Sequence, residues 1–267
     1  MPDNLKYNNI VNLKIKNSSY TKIINQIHDK SFILDIGCAR GYLGEFLNKQ
    51  KGCEVVGVDF LEEFLDICQK KGCYKELIQI NLNELSNQLD KYIGKFDYIL
   101  MLDVIEHLYN PSEVIENLKK LLTPEGKIIF SIPNIAHASV KISLMQNKFR
   151  YTKEGLLDNS HIRFFTLESL IELFNSLKMS IDNLDYIYQS FYSNLDKDLH
   201  KEGKKIGNYL KNDFESYVFQ YIVTTSNKEK DNTVYLKELK PIKRAKKQVS
   251  ILYRIFIKYK TAFNWKD

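Results

Sequence analysis

Apolar and polar positions alternate between two spacings along most of this chain. Five short apolar runs have the length of buried strands, and they lie near residues 32–36, 55–58, 77–80, 96–102 and 127–131. Between and around them, apolar residues recur at helical spacing near residues 19–28, 42–50, 61–71, 111–122 and 167–177. Alternation of strands with helices predicts a parallel sheet that is covered on both faces.

The end of this pattern is different. Two further strand patterns, near residues 180–188 and 216–225, are separated by a polar, Lys-rich stretch and not by a clear crossover helix. Strands that lack such a crossover pair more readily in antiparallel fashion. We therefore expect an antiparallel closing pair at one edge of an otherwise parallel sheet.

The first strand runs directly into a glycine-spaced turn. Asp35 lies in the strand, and Gly37, Cys38, Ala39 and Gly41 form the turn that precedes a helix near Tyr42. Glycine lets a backbone turn sharply and approach a ligand, and a helix N-terminus offers N–H groups and a partial positive charge. The pattern indicates a nucleotide-binding loop, although many ligands use such a turn.

The next two strands end in polar side chains. Asp59 closes the second strand, where its carboxylate can accept hydrogen bonds from both hydroxyls of a ribose, and Phe60 follows it. Asn81 and Leu82 follow the third strand, and the amide of Asn81 can both donate to and accept from an adenine edge. Phe60 is interpreted equally well as a packing residue.

The fourth strand ends at Leu102 and leads into Asp103, Glu106 and His107. Open α/β sheets bind ligands at the carboxyl ends of their strands, so these ionisable groups are expected beside the nucleotide.

These residues together resemble the class I S-adenosylmethionine-dependent methyltransferases, in the branch with Asp-Val-hydrophobic-Glu-His-Leu after strand four. The resemblance covers about residues 18 to 225 and implies a Rossmann-like α/β fold with seven strands, the last one reversed. It also implies S-adenosylmethionine as cofactor and S-adenosylhomocysteine as product. The residues assigned to the cofactor on this basis are Ser19, Asp35, Gly37, Cys38, Ala39, Gly41, Tyr42, Asp59, Phe60, Asn81, Leu82, Leu102, Asp103 and His107.

Two positions depart from the family pattern. Ala39 stands where many members have glycine, and Asn81 stands where Asp is common. Alanine tolerates most turn conformations with negative φ, and asparagine still accepts a hydrogen bond. We expect both departures to leave the site intact.

A narrower resemblance lies in residues 132–140 and 151–166, which are similar to methyltransferases of bacterial surface-polysaccharide and glycan tailoring. It implies O-methylation of a sugar hydroxyl or phosphoryl-type group of a capsule or lipopolysaccharide precursor, with O-methyl phosphoramidate formation as a specific candidate. Residues 134–166 are then an acceptor-side cap. Asn134, Arg150 and Arg163 are the expected acceptor-binding residues, the arginines as clamps for phosphate oxygens.

A sugar hydroxyl needs a base, and an imidazole can accept a proton at neutral pH. The candidates are His161, His107 and His137, with His161 preferred. Each also has a structural interpretation, since His107 and His137 can cap helices and His161 can join an ion-pair network with Asp158.

The four cysteines and the histidines show no familiar metal-ligand spacing, so no metal is expected.

Charge is concentrated at one end of the chain. Residues 236–267 contain ten Lys/Arg and two acidic residues, a net of +8, so the remaining chain carries −2 of the total +6. A near-neutral domain argues against nucleic acid as a partner. We assign residues 1–227 to the methyltransferase domain and 228–267 to a basic, helical tail that interleaves cations with apolar residues.

Two interpretations of the tail stay open: contact with an anionic membrane surface, and packing on its own domain or on a second copy in a homodimer. The N-terminus is polar, and no apolar run reaches the roughly 20 residues that span a bilayer. We expect a cytoplasmic protein, with peripheral inner-membrane contact as the open alternative.

Other functions fit less well. A nicotinamide-dependent oxidoreductase would show a tighter glycine fingerprint and a Tyr-x-x-x-Lys pair, and a base N-methyltransferase often carries Asn/Asp-Pro-Pro-Tyr where this chain has Asp-Val-Ile-Glu. A methyltransferase of other small-molecule biosynthesis and a non-catalytic cofactor-binding module stay open as alternatives.

Overall fold

A computed structural model describes residues 11–84, 87–192 and 200–237 of the chain. Their strands form one seven-stranded sheet with the order β3-β2-β1-β4-β5-β7-β6. The strands are β1 Phe32–Ile36, β2 Glu54–Asp59, β3 Glu76–Gln79, β4 Phe96–Leu102, β5 Leu122–Pro133, β6 Ser180–Tyr188 and β7 Val218–Ser226. Strands β1 to β5 are parallel, and β7 runs antiparallel to both β5 and β6. The predicted fold and its reversed strand are confirmed.

Helices cover both faces of the sheet, as the sequence pattern predicts. They are α1 Ser19–Ile24, α2 Tyr42–Lys51, α3 Glu62–Lys71, α4 Pro111–Lys119, α5 Ala138–Met145, α6 Leu167–Ser176, α7 His200–Tyr209 and α8 Val234–Lys237.

The core is divided by the sheet into two apolar layers. Leu34, Val56 and Ile99 belong to one cluster of buried side chains, whereas the adjacent Ile33 and Val55 belong to the other. Successive residues of a strand point to opposite faces, so each strand contributes to both layers. Continuous apolar runs are required for this arrangement, and they are the runs seen in the sequence.

Two helices were not predicted from the sequence pattern. α5 follows β5, and α7 lies in the Lys-rich stretch between β6 and β7. Gly207 of α7 comes so near to Tyr192 that a Cβ there would lie 2.9 Å from its hydroxyl oxygen. Tyr192 lies after β6 and outside α7, so this close contact belongs to the folded domain and no helical pattern in the sequence reveals it.

The first residues of the predicted basic tail pack on the domain. The side chain of Asn232 is fully buried, donates to the carbonyl oxygen of Met179 (2.8 Å) and accepts from the amide of Ile181 (2.8 Å). The hydroxyl of Tyr235 donates to the carbonyl oxygen of Ile181 (2.9 Å). The predicted domain therefore continues beyond residue 227 in its packing, and residues 238–267 of the predicted tail lie outside the described part of the chain.

Among the described residues, no helix combines the length and the apolar character needed to cross a lipid bilayer.

Candidate functional site

A cavity of about 800 Å³ opens at the carboxyl ends of the parallel strands. It lies where the strand order reverses between β1 and β4, which is the usual ligand position in an open α/β sheet. The predicted residues that line it are Ser19, Asp35, Gly37, Cys38, Ala39, Gly41, Tyr42, Asp59, Phe60, Asn81, Leu82, Leu102, Asp103, His107 and His161. The structure thus brings every residue assigned to the cofactor to one cavity, together with two of the three histidines.

The turn after β1 alternates between ordinary and left-handed backbone. Gly37, Ala39 and Gly41 have φ of 69°, 47° and 68°. At Gly41 a Cβ would approach Cys68 Sγ to 2.7 Å, so both conformation and space require glycine there. The expectation of a negative φ at Ala39 is wrong, because this alanine lies in the left-handed region that glycine adopts without strain.

Asp59 holds this turn in place. One carboxylate oxygen accepts from the amide of Ala39 (2.9 Å), and the other accepts from the amide of Leu61 (3.0 Å). Each oxygen retains a further lone pair that can accept from a ligand hydroxyl. Burial raises the pKa of Asp59, while the backbone amides oppose that shift. Asp59 therefore has two functions available, fixing the loop and binding a diol.

A second carboxyl group lies deeper in the cavity wall. Asp35 is buried and accepts from the hydroxyl of Tyr74 (3.0 Å). Burial raises the pKa of Asp35 to about 7, the Tyr74 hydroxyl lowers it and the negative charge of Asp59 adds to the increase. Burial and the nearby Asp35 also raise the pKa of Tyr20 to about 12. A positively charged ligand would favour the ionised form of Asp35.

The β3 end of the cavity combines an exposed ring with a self-contained loop. Phe60 is 63% exposed beside Asp59 and lines the cavity. The side-chain amide of Asn81 donates to the Glu84 carboxylate (2.7 Å), and its oxygen accepts from the backbone amide of Asn83 (3.1 Å). Both bonds are made within residues 81–84, so they stabilise this loop. The backbone amide of Tyr109 donates to Asn83 (2.8 Å), which joins this loop to the segment after β4.

Asp103 follows β4 in a left-handed conformation with φ of 54°. Ser131 Oγ (3.0 Å) and Gln220 Nε2 (2.5 Å) both donate to one of its carboxylate oxygens. Partial desolvation of the carboxyl group in the cavity wall raises the pKa of Asp103, and these two hydrogen bonds lower it. Gln220 comes from the reversed strand β7 and lines the cavity, and its distance in sequence kept it out of the predicted set.

The segment after β4 is tied to residues 156–163 through its backbone. The carbonyl oxygen of Glu106 accepts from the amides of Ile162 (2.9 Å) and Arg163 (3.0 Å). Arg163 also donates through its guanidinium group to the carbonyl oxygen of Tyr109 (2.5 Å). These hydrogen bonds hold His161 close to Glu106, so that His161 Nε2 lies 4.0 Å from Glu106 Oε1.

Glu106, His107 and His161 form a compact group at this end of the cavity. The two imidazole ring centres are 4.9 Å apart, and the rings are inclined at 72°. The side chain of Glu106 is 1% exposed, and neither carboxylate oxygen has a hydrogen-bond partner in the described structure. Burial raises the pKa of Glu106 well above its ordinary value, and the charges of Asp103 and Asp158 increase the shift.

His137 does not take the predicted position. It is fully buried, lies outside the cavity lining and caps α5 by accepting from the amide of Ser139 (3.2 Å). Burial lowers the pKa of His137 to about 3, so it is neutral and a weak base near pH 7. The structure supports the helix-capping interpretation of His137, and this position does not fit a general base.

The three predicted acceptor-binding residues also lie outside the cavity lining. Asn134 is fully buried, and its amide donates to the carbonyl oxygens of Glu215 (3.0 Å) and Val218 (2.8 Å). Arg163 supports the backbone of Tyr109, and Arg150 is exposed on the surface. The positions of Asn134 and Arg163 fit structural roles, because their polar groups bind the protein's own backbone.

Sequence reasoning missed several residues that line the cavity around Glu106, His161 and β7. They are Tyr109, Glu154, Gly155, Leu156, Asp158 and Ser160, with Phe219 and Gln220 from β7. The expected acceptor-side cap, residues 134–166, stays a prediction, and part of that segment does line the cavity. The sequence did not show which side chains turn inward.

Comparison with known proteins gives a consistent result. Residues 18–177, more than half of the chain, match the family described as a methyltransferase domain. One relative, named ubiquinone biosynthesis O-methyltransferase of Coxiella burnetii, is 34% identical over 105 residues. The aligned part is 38% of this chain and 43% of that relative, so the match spans less than half the relative's length.

Solved structures share the fold at low identity. A S-adenosylmethionine-dependent methyltransferase from Archaeoglobus fulgidus superposes with a TM-score of 0.56 and 16% identity, covering 80% of this chain and 94% of that one. A 1,6-didemethyltoxoflavin-N1-methyltransferase from Burkholderia thailandensis, solved with S-adenosylhomocysteine, gives a TM-score of 0.52 and 14% identity, with 79% and 77% coverage. At these identities the likeness concerns the fold alone.

Proposed function

The chain belongs to the methyltransferase domain family. From this premise we propose that it is an S-adenosylmethionine-dependent methyltransferase and that it methylates a hydroxyl group of a small, uncharged acceptor. The observation that carries the proposal is the composition of the cavity. A diol-binding carboxylate lies at one end, and the group of Glu106, His107 and His161 lies at the other.

The residues at the first end fit the cofactor. Asp59 can accept from both ribose hydroxyls while it holds the loop, and the exposed ring of Phe60 offers a face to the adenine. The left-handed turn from Gly37 to Gly41 directs backbone groups to the methionyl part. When bound, the sulfonium compound supplies a methyl group on a good, neutral leaving group.

Alignment and proton removal are the tasks left to the protein. Placing the acceptor oxygen behind the methyl group can contribute about 7–11 kcal/mol at best. A hydroxyl is a poor nucleophile until its proton is lost, and a positioned group that assists this loss contributes about 10²- to 10⁴-fold in rate. We assign that assistance to His161, with His107 and Glu106 beside it.

The charges of the lining favour an uncharged acceptor. It contains the carboxyl groups of Asp35, Asp59, Asp103, Glu106, Glu154 and Asp158. Arg40 is the lining's one Lys or Arg among the described residues, and it belongs to the cofactor loop. To the extent that these groups are ionised, such a cavity attracts a cationic cofactor and repels a phosphorylated acceptor. A phosphoryl group therefore has less support here than a neutral hydroxyl.

The relatives' name supports O-methylation of a small molecule in biosynthesis. The glycan acceptor that the sequence resemblance implied has no comparable support among these relatives. We therefore place a phenolic or alcoholic hydroxyl of a small molecule first and a sugar hydroxyl second.

The test is a transfer assay with isotopically labelled methyl donor against matched acceptors. Phenols, neutral sugars and their phosphorylated forms are incubated with the protein, and products are located by mass spectrometry. The proposal predicts a labelled methyl ether on a neutral hydroxyl compound and far less product from its phosphorylated form. Methylation confined to nitrogen or to phosphorylated acceptors would refute it, and cofactor binding with no product from any hydroxyl compound would favour the binding-module alternative.

A further inference from the structure

Glu106 presents an unusual polar feature for a protein interior. It is 1% exposed, and both of its carboxylate oxygens lack a hydrogen-bond partner in the described structure. Buried carboxyl groups are normally hydrogen-bonded, because an unpaired one loses its hydration without compensation. Two carboxylate oxygens without a partner on a cavity wall indicate that a bound ligand or ion interacts with Glu106.

The imidazoles of His107 and His161 lie close to the carboxylate of Glu106. One ligand atom each from Glu106, His107 and His161 can be chosen so that all three lie within 4.8 Å of one another. These are the ligand types of catalytic sites for divalent transition metals, in which three protein ligands leave positions open for water or substrate.

The rings are also held as metal-binding imidazoles are held. Nδ1 of His107 lies 2.9 Å from the carbonyl oxygen of Ser160, and Nδ1 of His161 lies 3.3 Å from that of Leu156. A carbonyl oxygen can only accept, so in both rings Nδ1 carries a proton, and the neutral form of each ring then has its lone pair on Nε2. A backbone carbonyl that fixes the tautomer in this way is the usual support of a metal-bound histidine.

We propose that Glu106, His107 and His161 bind one divalent transition-metal ion at the acceptor end of the cavity. The inference deepens the proposed function and rests on it for the identity of the acceptor, but metal binding itself can be measured without an acceptor.

The geometry requires only small movements. Metal–ligand distances of about 2.0–2.2 Å place neighbouring ligand atoms roughly 3 Å apart. Closing from the present separations of up to 4.8 Å asks each side chain to move by about 1 Å. Two imidazoles with one carboxylate favour zinc, manganese, cobalt or iron over magnesium and calcium.

The ion would change how the acceptor is prepared. An acceptor hydroxyl on an open position loses its proton to solvent water more readily, because the ion stabilises the alkoxide. The oxygen then forms a bond to the methyl carbon while the carbon–sulfur bond breaks and its electron pair leaves on sulfur. His161 then acts as a metal ligand, and the proton goes to water and not to the imidazole.

The first experiment measures binding of the metal alone. Chelator-treated protein is titrated with Mn²⁺, followed by electron paramagnetic resonance, and with Zn²⁺ by calorimetry. The proposal predicts one ion per chain, and it predicts that E106Q and H161A each weaken binding at least tenfold. The control is H28A, because His28 is an exposed imidazole outside the cavity lining. Cofactor titration of each variant verifies that the domain is folded.

The outcomes separate the metal site from the proposed function. Equal metal binding by wild-type protein, E106Q and H161A would overturn the metal site, as would the absence of binding by wild-type protein. Full methyl transfer in the presence of chelator would also overturn it, while leaving the proposed function intact. Metal binding that is lost in E106Q and H161A would support the site even if no hydroxyl acceptor is methylated.

Discussion

The two ends of the cavity are built in different ways. The cofactor end consists of short sequence segments that follow β1, β2 and β3, and one carboxylate, Asp59, joins two of them through the amides of Ala39 and Leu61. The acceptor end joins residues more than 50 positions apart, through backbone bonds from Ile162 and Arg163 to Glu106. The residues of the first end lie in short sequence segments, each of which can be recognised by itself. Those of the second end come together only when the domain folds.

This difference predicts separable defects. A substitution at the cofactor end should affect binding of the cofactor, and one at the acceptor end should affect transfer while binding is retained.

The largest effect is expected at His161. H161A should lower turnover by about 10²- to 10⁴-fold, because it removes the group that promotes loss of the hydroxyl proton. Cofactor affinity should change less than threefold. Turnover is measured with labelled donor and affinity by calorimetry, with H28A as the matched control, and unchanged turnover in H161A would remove His161 from the mechanism.

The next effect is expected at Asp59. D59A should weaken cofactor binding about 100-fold, since hydrogen bonds to a charged group contribute about 1.5–3 kcal/mol each. The matched control is D66A, because Asp66 is an exposed carboxylate on the adjacent α3. Circular dichroism establishes that D59A is folded, and affinity within threefold of wild type would contradict the assigned role.

A smaller effect is expected in the glycine turn. G41A should destabilise the domain by about 1–3 kcal/mol, because its Cβ would meet Cys68 Sγ at 2.7 Å in a left-handed backbone. The reverse change, A39G, is the comparison. It relieves a left-handed alanine and should alter stability by less than about 1 kcal/mol. Urea unfolding compares the two, and equal losses would show that the turn has no special demand at Gly41.

The smallest effect concerns pH. The pKa of Asp35 is about 7 in the folded protein, well above that of an unfolded Asp near 3.9. Between these values the unfolded chain has lost a proton that the folded chain retains, so this group lowers stability as pH rises toward 7 and no further above it. D35N should therefore gain about 1 kcal/mol or more relative to wild type between pH 5 and pH 8. Urea unfolding at both pH values measures this, and a constant difference would contradict the assignment.

The features that can be predicted from the sequence are mostly those of the cofactor end, and those that cannot are mostly at the acceptor end. The strands, the glycine turn and Asp59 could be predicted because apolar runs and turn residues specify them locally. The conformation of Ala39 could not, since its amide donates to Asp59 and its carbonyl oxygen accepts from Cys68, and both partners are distant in sequence. Gln220 and the orphaned carboxylate of Glu106 could not either, because packing of β7 and of residues 156–163 creates their surroundings.

His137 is an example of a residue whose predicted catalytic function does not fit its position in the structure. Its residue type and its position after β5 suggested a base, and only burial in the folded domain distinguishes a helix cap from a catalytic group.

Cofactor titration of wild-type protein, D59A and H161A under one set of conditions tests the central claim most directly. The two-ended cavity predicts that H161A binds S-adenosylmethionine as wild type does and that D59A binds it about 100-fold more weakly. Equal losses in D59A and H161A, or loss in H161A alone, would contradict the separation of the cofactor end from the acceptor end.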